Sequence, residues 1–575
     1  MFGRLASSAY WTPFDSPTNH CFNTEANSRT PLLAKTMNRS NVKVAVIGAG
    51  PAGLSSLKEL RDVGFDVTVF ERRSDVGGIF TFDPDPNITS ATPWTRSQLS
   101  KYISAMSDFP FPDDMSVHVS SAEWSAYYRQ YAEHFEMYPH IRFNTTVKVI
   151  RRDHEKNKWN VFIEGEDRPQ VFDKVVFCSG SETMIKHPRI DDLEKFKGEL
   201  IHGQAYKSPA DYKGKNVVVL GMGNSASDTA AELTEFASKV YLAHRRGAKI
   251  LPRANKDGPL DSFISWKVSR MGIWTEHHAP GIFQIIADGF LQRGSDQEFG
   301  GVKEDEAEPE WGLEDVGDDV TTIICSDHLI PLVREGRIAS VRGIKRIVGP
   351  KTVELDNDEL IEDVDVIIAC TGYRADFSLL PHLSFTRTDP SLPALPDLFQ
   401  MVFSTEYADS LACTNYGIIN ESAASYREIQ SMAIAQVWAG NSKLPSVDKM
   451  KEQVAAYQAW LTKQMLMFPA TYLGKGQMYP WMKFLHKTAG TGMYEHMGWG
   501  WRAVWFWLRD RKLYNLVAWG VYSPHMYRLF ETGKRKAWPG ARDAIIRVNE
   551  ERERAFPKKG KAANKTDESG ELSSN

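Results

Sequence analysis

The stretch "VKVAVIGAGPAG", Val42 to Gly53, is a short valine- and isoleucine-rich run that ends in Gly48, Gly50 and Gly53, spaced G-x-G-x-x-G. Such a run predicts a buried strand, and the glycines predict the turn that ends it. In a strand–turn–helix unit the first two glycines let backbone approach a pyrophosphate. The third lets the helix pack on the strand, and the phosphates sit at the helix N-terminus. The predicted helix ends near Gly64, and a parallel strand "FDVTVFER" (Phe65 to Arg72) follows. It places Glu71 23 residues after Gly48, where a carboxylate can accept hydrogen bonds from an adenosine ribose. NAD and FAD both fit this geometry, and the motif alone does not choose between them.

The unit recurs. "KNVVVLGMG" (Lys215 to Gly223) leads through "NSASDTAAELTEF" to "KVYLAHRR", with Gly221 and Gly223 in the turn and Ala226 in place of the third glycine. Arg245 stands 24 residues after Gly221, where the first copy has its glutamate. A guanidinium fork there suits a 2′-phosphate, so the second site is expected to prefer NADP, with Arg246 the weaker candidate for the same phosphate. Two nucleotide sites of different preference imply electron flow from NADPH to FAD.

A chain of 575 residues, 42% hydrophobic, is too long for one core and is expected to form two or three domains. Its 69 basic and 73 acidic residues nearly balance, which argues against a nucleic-acid partner. Cys21, Cys178, Cys325, Cys370 and Cys413 form no Cys-x-x-Cys pair, which argues against zinc and a dithiol centre and fits a reducing compartment. No metal site is expected. No stretch has the ~18 uncharged apolar residues of a spanning helix. Met1 to Ser40 lacks the pattern of a secretory signal and is expected to be a flexible extension, so a cytoplasmic location is expected.

Between the two units, Phe196, Gly198, His202 and Tyr206 in "FKGELIHGQAY" spell F-x-G-x-x-x-H-x-x-x-Y. This string resembles the identifying sequence of the flavin-containing monooxygenases. "DFPFPDD" (Asp108 to Asp114), "GGIF" (Gly77 to Phe80), "GNSASD" and "ACTGY" (Ala369 to Tyr373) are similar to further strings of that family, over about Val42 to Gly440. Baeyer-Villiger monooxygenases typically carry Trp-Pro where this chain has Tyr206-Lys207, which leans toward heteroatom oxygenation. The resemblance implies an NADPH- and dioxygen-dependent enzyme. In that family reduced FAD forms a C4a-hydroperoxide and passes one oxygen atom to a small organic substrate, with N- or S-oxygenation favoured. Baeyer-Villiger or epoxidising chemistry and a non-oxygenating NADPH-binding flavoprotein remain alternatives.

The resemblance further implies that Gly48, Gly50, Gly53, Glu71, Phe80, Leu99, Thr371 and Gly372 contact cofactor. Gly221, Gly223, Asn224, Ser225, Asp228, Arg245 and Arg246 are implied to hold NADP. His202 is read as joining the nucleotide units rather than as a base. The family has an asparagine ten positions before the aspartate of D-F-P-F-P, whereas this chain has Gln98. Gln98 is expected to perform the amide's catalytic role in a reshaped pocket, which points to a specialised metabolic enzyme.

The fold class expected is α/β: two Rossmann-like dinucleotide-binding domains, the NADP domain inserted in the FAD domain, plus a C-terminal helical extension. Expected spans are 41–205 and 336–445 for the FAD domain, 206–335 for the NADP domain, 446–555 for the aromatic-rich extension, and 1–40 and 556–575 for flexible ends. "DVDVIIACTGY" is expected to close the FAD domain, and "KEDEAEPEWGLEDVGDD" (Lys303 to Asp319) to be an exposed insertion. Val447, Met450, Val454, Tyr457 and Leu461 predict a helix with one apolar face. Trp499, Trp501, Trp505, Trp507 and Trp519 are expected to pack against the body of the protein, with a membrane-interface surface as the alternative.

Overall fold

The computed structural model describes residues 39–300, 323–419, 421–468 and 471–557. The N-terminal extension up to residue 38, the acidic segment 303–319 and the tail from 558 lie outside the described residues. Strand Arg39–Ile47 runs at the centre of a seven-stranded sheet because Val44 to Ile47 are apolar on both faces and buried. Phe65–Phe70 and Lys174–Phe177 flank it in parallel register. Ile141–Arg142 lies beyond the first neighbour and Leu411–Cys413 beyond the second, also parallel. Leu398–Phe399 and Phe403–Ser404 complete that edge antiparallel. Helix Pro51–Asp62 covers the sheet and packs on helix Ala423–Trp438, which is buried along nearly its whole length.

A second, five-stranded sheet has the order Ala339–Arg342, Lys239–His244, Asn216–Leu220, Val366–Ala369, Glu199–His202, and every pairing is parallel. This corrects the place expected for "DVDVIIACTGY". Val366 to Ala369 do not close the first sheet; they bond to Val217 to Leu220 on one side and Glu199 to His202 on the other. A four-residue apolar strand carries no address of its own, and the free edge of Asn216–Leu220 takes it. The second sheet therefore draws strands from 199 to 369, outside the span 206–335, and the strand that returns to the first sheet is Leu411–Cys413.

Helix Val447–Met467 forms as its periodicity predicts, with Met450, Val454 and Leu461 buried. Phe556, placed in the polar tail by sequence, packs against Tyr102, Val521 and Val548. The expectation that the five tryptophans pack inward fails: Trp499, Trp501, Trp505, Trp507 and Trp519 are all exposed. The inward positions of their helices are filled by Ala503, Leu513 and Val517, which leaves the larger rings facing out. Among the described residues no helix is long and apolar enough to cross a membrane.

Candidate functional site

The first glycine turn has no room for a side chain. Gly48 has φ +103°, and a Cβ there would lie 2.7 Å from the Cys178 carbonyl oxygen. One on Gly53 would lie 1.8 Å from the Gly48 carbonyl oxygen. Gly50 caps helix Pro51–Asp62 without a side-chain cap, and Pro51 has no N–H to satisfy, so the helix N-terminus presents bare backbone donors. Buried Glu71 is held by two backbone donors: Ala49 N–H to Oε2 at 2.7 Å and Arg73 N–H to Oε1 at 2.9 Å. Gly77 donates to the Ala49 carbonyl at 3.0 Å, which sets "GGIF" against the turn. Phe80 there packs tilted against the Trp124 and Tyr128 rings.

Several buried polar side-chain atoms in the chain lack protein partners. Gln98 Oε1, Asn415 Oδ1, Arg427 Nη1 and both amide atoms of Gln430 are shielded from solvent and bond to no protein group. Leaving such groups dry and unpaired costs about 1–3 kcal/mol each, so water or a polar ligand satisfies them. Asn415 Nδ2 donates to Ser179 Oγ at 3.2 Å, just past the Cys178 carbonyl that abuts Gly48. Arg427 and Gln430 lie three residues apart on helix Ala423–Trp438. A flavin ring edge, with alternating carbonyls and an N–H, fits this donor and acceptor set. Neither Arg427 nor Gln430 was singled out in the sequence, because a helix buried along nearly its whole length shows no polar face to read, and Asn415 lies in a loop after strand Leu411–Cys413.

Gln98 sits in a tightly held loop. Ser97 N–H donates to the Val119 carbonyl at 2.8 Å and its Oγ to the Leu99 carbonyl at 2.7 Å. Ser100 donates through N–H and Oγ to the two oxygens of Asp261, at 2.6 and 2.8 Å. Burial pushes the Asp261 carboxyl up to about 6 against those hydrogen bonds. This ties the Gln98 loop to a segment that follows the second glycine turn.

At that turn Gly221 has φ +135°, and a Cβ would lie 2.6 Å from the Cys370 carbonyl oxygen. Gly223 is open and caps helix Asn224–Leu233, again with no side-chain cap. Ser225 is exposed beside it. The Asn224 side-chain oxygen accepts from Cys325 N–H at 3.0 Å. Asp228 pairs with Arg253 at 3.3 Å, and Arg253 also holds Asp327 at 3.0 Å. Arg245 and Arg246 follow His244, the last residue of its strand, with both side chains exposed. Arg245 has a loose partner in Asp356 at 3.9 Å.

Thr371 Oγ1 donates to the Lys186 carbonyl, and Lys186 N–H to the Gly372 carbonyl at 3.0 Å. His202 accepts from Gln204 N–H on Nδ1 at 3.1 Å, so its Nε2 is the donor to the Gly372 carbonyl at 3.2 Å. Burial holds its pKa below the usual value, leaving a neutral ring that fastens one strand end to the next. Tyr206 donates to Glu232 at 2.9 Å. Asp108 of "DFPFPDD" is buried and held by Lys58 at 2.8 Å and Arg528 at 3.1 Å. Arg528, from the C-terminal extension, also holds Glu59 on the first glycine-turn helix and Glu428 at 2.8 Å.

Comparison with known proteins matches residues 41–571 to the family described as flavin-binding monooxygenase-like. Monooxygenase aurF of Gibberella zeae is 35% identical over 90% of this chain and 99% of its own length. A dimethylaniline monooxygenase (N-oxide-forming) of Oryctolagus cuniculus is 29% identical over 88% of this chain and 91% of its own. Among solved structures, an S-allyl-L-cysteine S-oxygenase of Allium sativum aligns over 82% of this chain and 94% of its own, with a TM-score of 0.55 and 21% identity. A cyclohexanone monooxygenase aligns over 78% and 98%, also at 0.55, with 16% identity. These two likenesses show the fold.

Proposed function

The chain belongs to the flavin-binding monooxygenases and is a flavin-dependent oxygenase; from that premise we propose that it binds FAD at the first glycine turn and NADPH at the second. It inserts one atom of dioxygen into a small organic substrate, with oxygenation at nitrogen or sulfur favoured over ketone or alkene chemistry. The observation that carries this reading is a first glycine turn that admits only backbone, with the unpaired polar atoms of Asn415, Arg427 and Gln430 on segments that pack against it.

Bound flavin supplies the hydride acceptance and oxygen activation, and the chain's residues supply placement and a dry enclosure. The bare helix N-terminus at Gly50 faces the pyrophosphate, and Glu71, oriented by Ala49 and Arg73, accepts from the ribose hydroxyls. Asn415, Arg427 and Gln430 orient the ring edge. Gln98, in a loop that Ser97 and Asp261 hold in place, would offer its unpaired side-chain oxygen to the reacting group. At the second turn the helix N-terminus at Gly223 takes the nicotinamide dinucleotide's phosphates and Arg245 its 2′-phosphate, displacing the loose contact with Asp356.

The preference for NADPH is tested by kcat/KM for NADPH and NADH in the wild type and Arg245→Ala. Losing a charge-assisted contact worth roughly 1.5–3 kcal/mol predicts a fall of about ten- to a hundredfold for NADPH alone. Equal use of both nucleotides by the wild type refutes the assignment. A panel of one amine, one sulfide, one ketone and one alkene, read by product mass, separates heteroatom oxygenation from the alternatives.

A further inference from the structure

Gln98 stands in an arch of the backbone. Ser97 N–H donates to the Val119 carbonyl and Lys101 N–H to the Val117 carbonyl, both at 2.8 Å. Between these two rungs one segment has Gln98, Leu99 and Ser100 where the other has only His118, so the surplus residues bulge out of the pairing. Asp261 anchors the bulge from outside, its two carboxylate oxygens accepting from Ser100 N–H and Ser100 Oγ. Next to Asp261, Leu260 N–H donates to the Arg253 carbonyl at 3.2 Å. The Arg253 guanidinium in turn holds Asp327 and, on helix Asn224–Leu233, Asp228. A short bonded path therefore runs from the helix of the second glycine turn to the arch of Gln98.

Helix Ala541–Ala555 of the C-terminal extension grips both sides of this joint. Glu551 pairs at 2.7 Å with Lys101, the residue after Ser100. Arg552, its neighbour, is buried and reaches the other side. It donates to the Asp257 carbonyl at 3.1 Å and to Ser262 Oγ at 3.4 Å, and its guanidinium lies 4.6 Å over the Phe263 ring. Phe556, just past the helix, packs on Tyr102 and abuts Gly258, where a Cβ would lie 3.1 Å from its ring. Adjacent residues of one helix thus fix the two segments that Ser100 and Asp261 join.

Resting on the reading that Gln98 serves the reacting group, we propose that Asp261 and Arg552 are positioning residues: Asp261 sets the Gln98 arch from the second nucleotide unit, and Arg552 sets Asp261 from the C-terminal extension. The arch then takes its working shape only while that unit is docked and the helix is seated. Both oxygens of Asp261 are committed to Ser100, so it acts through the arch and not on a substrate. Each hydrogen bond to a charged group biases the arch toward one shape by roughly ten- to a hundredfold. A reacting amide displaced by about 1 Å loses on the order of a hundredfold in rate, so the arch is worth holding from two directions.

The test pairs amide hydrogen exchange across residues 96–101, which needs no turnover, with substrate-free peroxide release by the flavin-loaded full chain. In the second assay NADPH, a proton and dioxygen give NADP⁺ and hydrogen peroxide, both electrons passing from nucleotide to oxygen. Asp261→Ala should speed exchange of the Ser100 amide and release of peroxide at least about tenfold each, and Arg552→Met at least about threefold, with flavin content and KM for NADPH within about twofold of wild type. Asp261→Asn should stay within about threefold of wild type, because its amide can accept from Ser100 N–H and donate to Ser100 Oγ. Gln98→Ala should also release peroxide faster, and adding Asp261→Ala to it should change the rate by less than about twofold, since both act through one arch. Faster exchange without faster peroxide release overturns the proposal, as do additive effects of Gln98→Ala and Asp261→Ala. An Asp261→Asn protein as leaky as Asp261→Ala also overturns it. Should Asp261→Ala fail to fold, Arg552→Met decides, and wild-type exchange and peroxide release there refute the proposal. Wild-type protein that binds no flavin or oxidises no NADPH overturns the underlying reading as well, whereas the variant outcomes overturn the proposal alone.

Discussion

Replacing Arg528 by methionine tests how the C-terminal extension supports the first glycine turn. Arg528 is buried and holds Glu59 on the turn's helix, Asp108, Glu428 and Ser107 Oγ, the last at 2.5 Å. Methionine keeps much of the volume but leaves three buried carboxylates facing two remaining cations, Lys58 and Arg535. Removing one side of a buried ionic cluster costs about 3–5 kcal/mol, far more than the ~1 kcal/mol of an exposed pair. The pH dependence has a definite sign. In the wild type, Arg528 and Lys58 outweigh burial and hold the Glu59 carboxyl well below its ordinary value, so its contribution is present at neutral pH and lost in acid. In the variant, burial without Arg528 raises the Glu59 carboxyl, so its share of the deficit is largest at neutral and alkaline pH and narrows as it protonates in mild acid. Denaturant unfolding of wild type and Arg528→Met, at about pH 8 and again near pH 5.5, reads both quantities, and flavin absorbance reads the turn. A variant within about 1 kcal/mol of wild type, with the same pH slope and full flavin content, would refute the reasoning.

Three more outcomes follow from the site. Asp261→Asn should flatten the pH dependence of stability. With its carboxyl raised to about 6 in the folded state, Asp261 contributes stability below its unfolded pKa and loses it as pH rises through 6. The loss between about pH 5 and pH 8 is ~1.4 kcal/mol, and paired unfolding curves at those two pH values would show it only in the wild type. Gly53→Ala drives a Cβ to 1.8 Å from the Gly48 carbonyl oxygen, so the purified variant should lack the yellow flavin absorbance; normal occupancy would mean the turn is wrongly described. Gln98→Ala should raise the share of NADPH spent on hydrogen peroxide rather than product, and unchanged coupling would remove Gln98 from the reaction.

The glycine turns were legible because only a residue without a Cβ fits against a neighbouring carbonyl, and that requirement is written locally at Gly48, Gly53 and Gly221. Glu71 was legible for the same reason: a fixed count of residues separates the turn from the end of the next parallel strand. "DFPFPDD" was visible as a string, but its aspartate's work was not, since its partners Lys58 and Arg528 are 50 and 420 positions away. Helix Ala423–Trp438, buried along nearly its whole length, hid Arg427 and Gln430 among core residues, and only the hydrogen bonds of the folded chain mark them as unpaired.

By itself the sequence determined the two strand–turn–helix units and the contrast of Glu71 with Arg245, because each is a short-range matter of spacing and backbone sterics. The tertiary structure alone decided that Val366–Ala369 joins the second sheet, that Asp261 holds the loop of Gln98, and that the tryptophans face outward. Those outcomes depend on which distant segment offers an open sheet edge, a hydrogen-bond donor or an already filled core, and such offers exist only once the chain has folded.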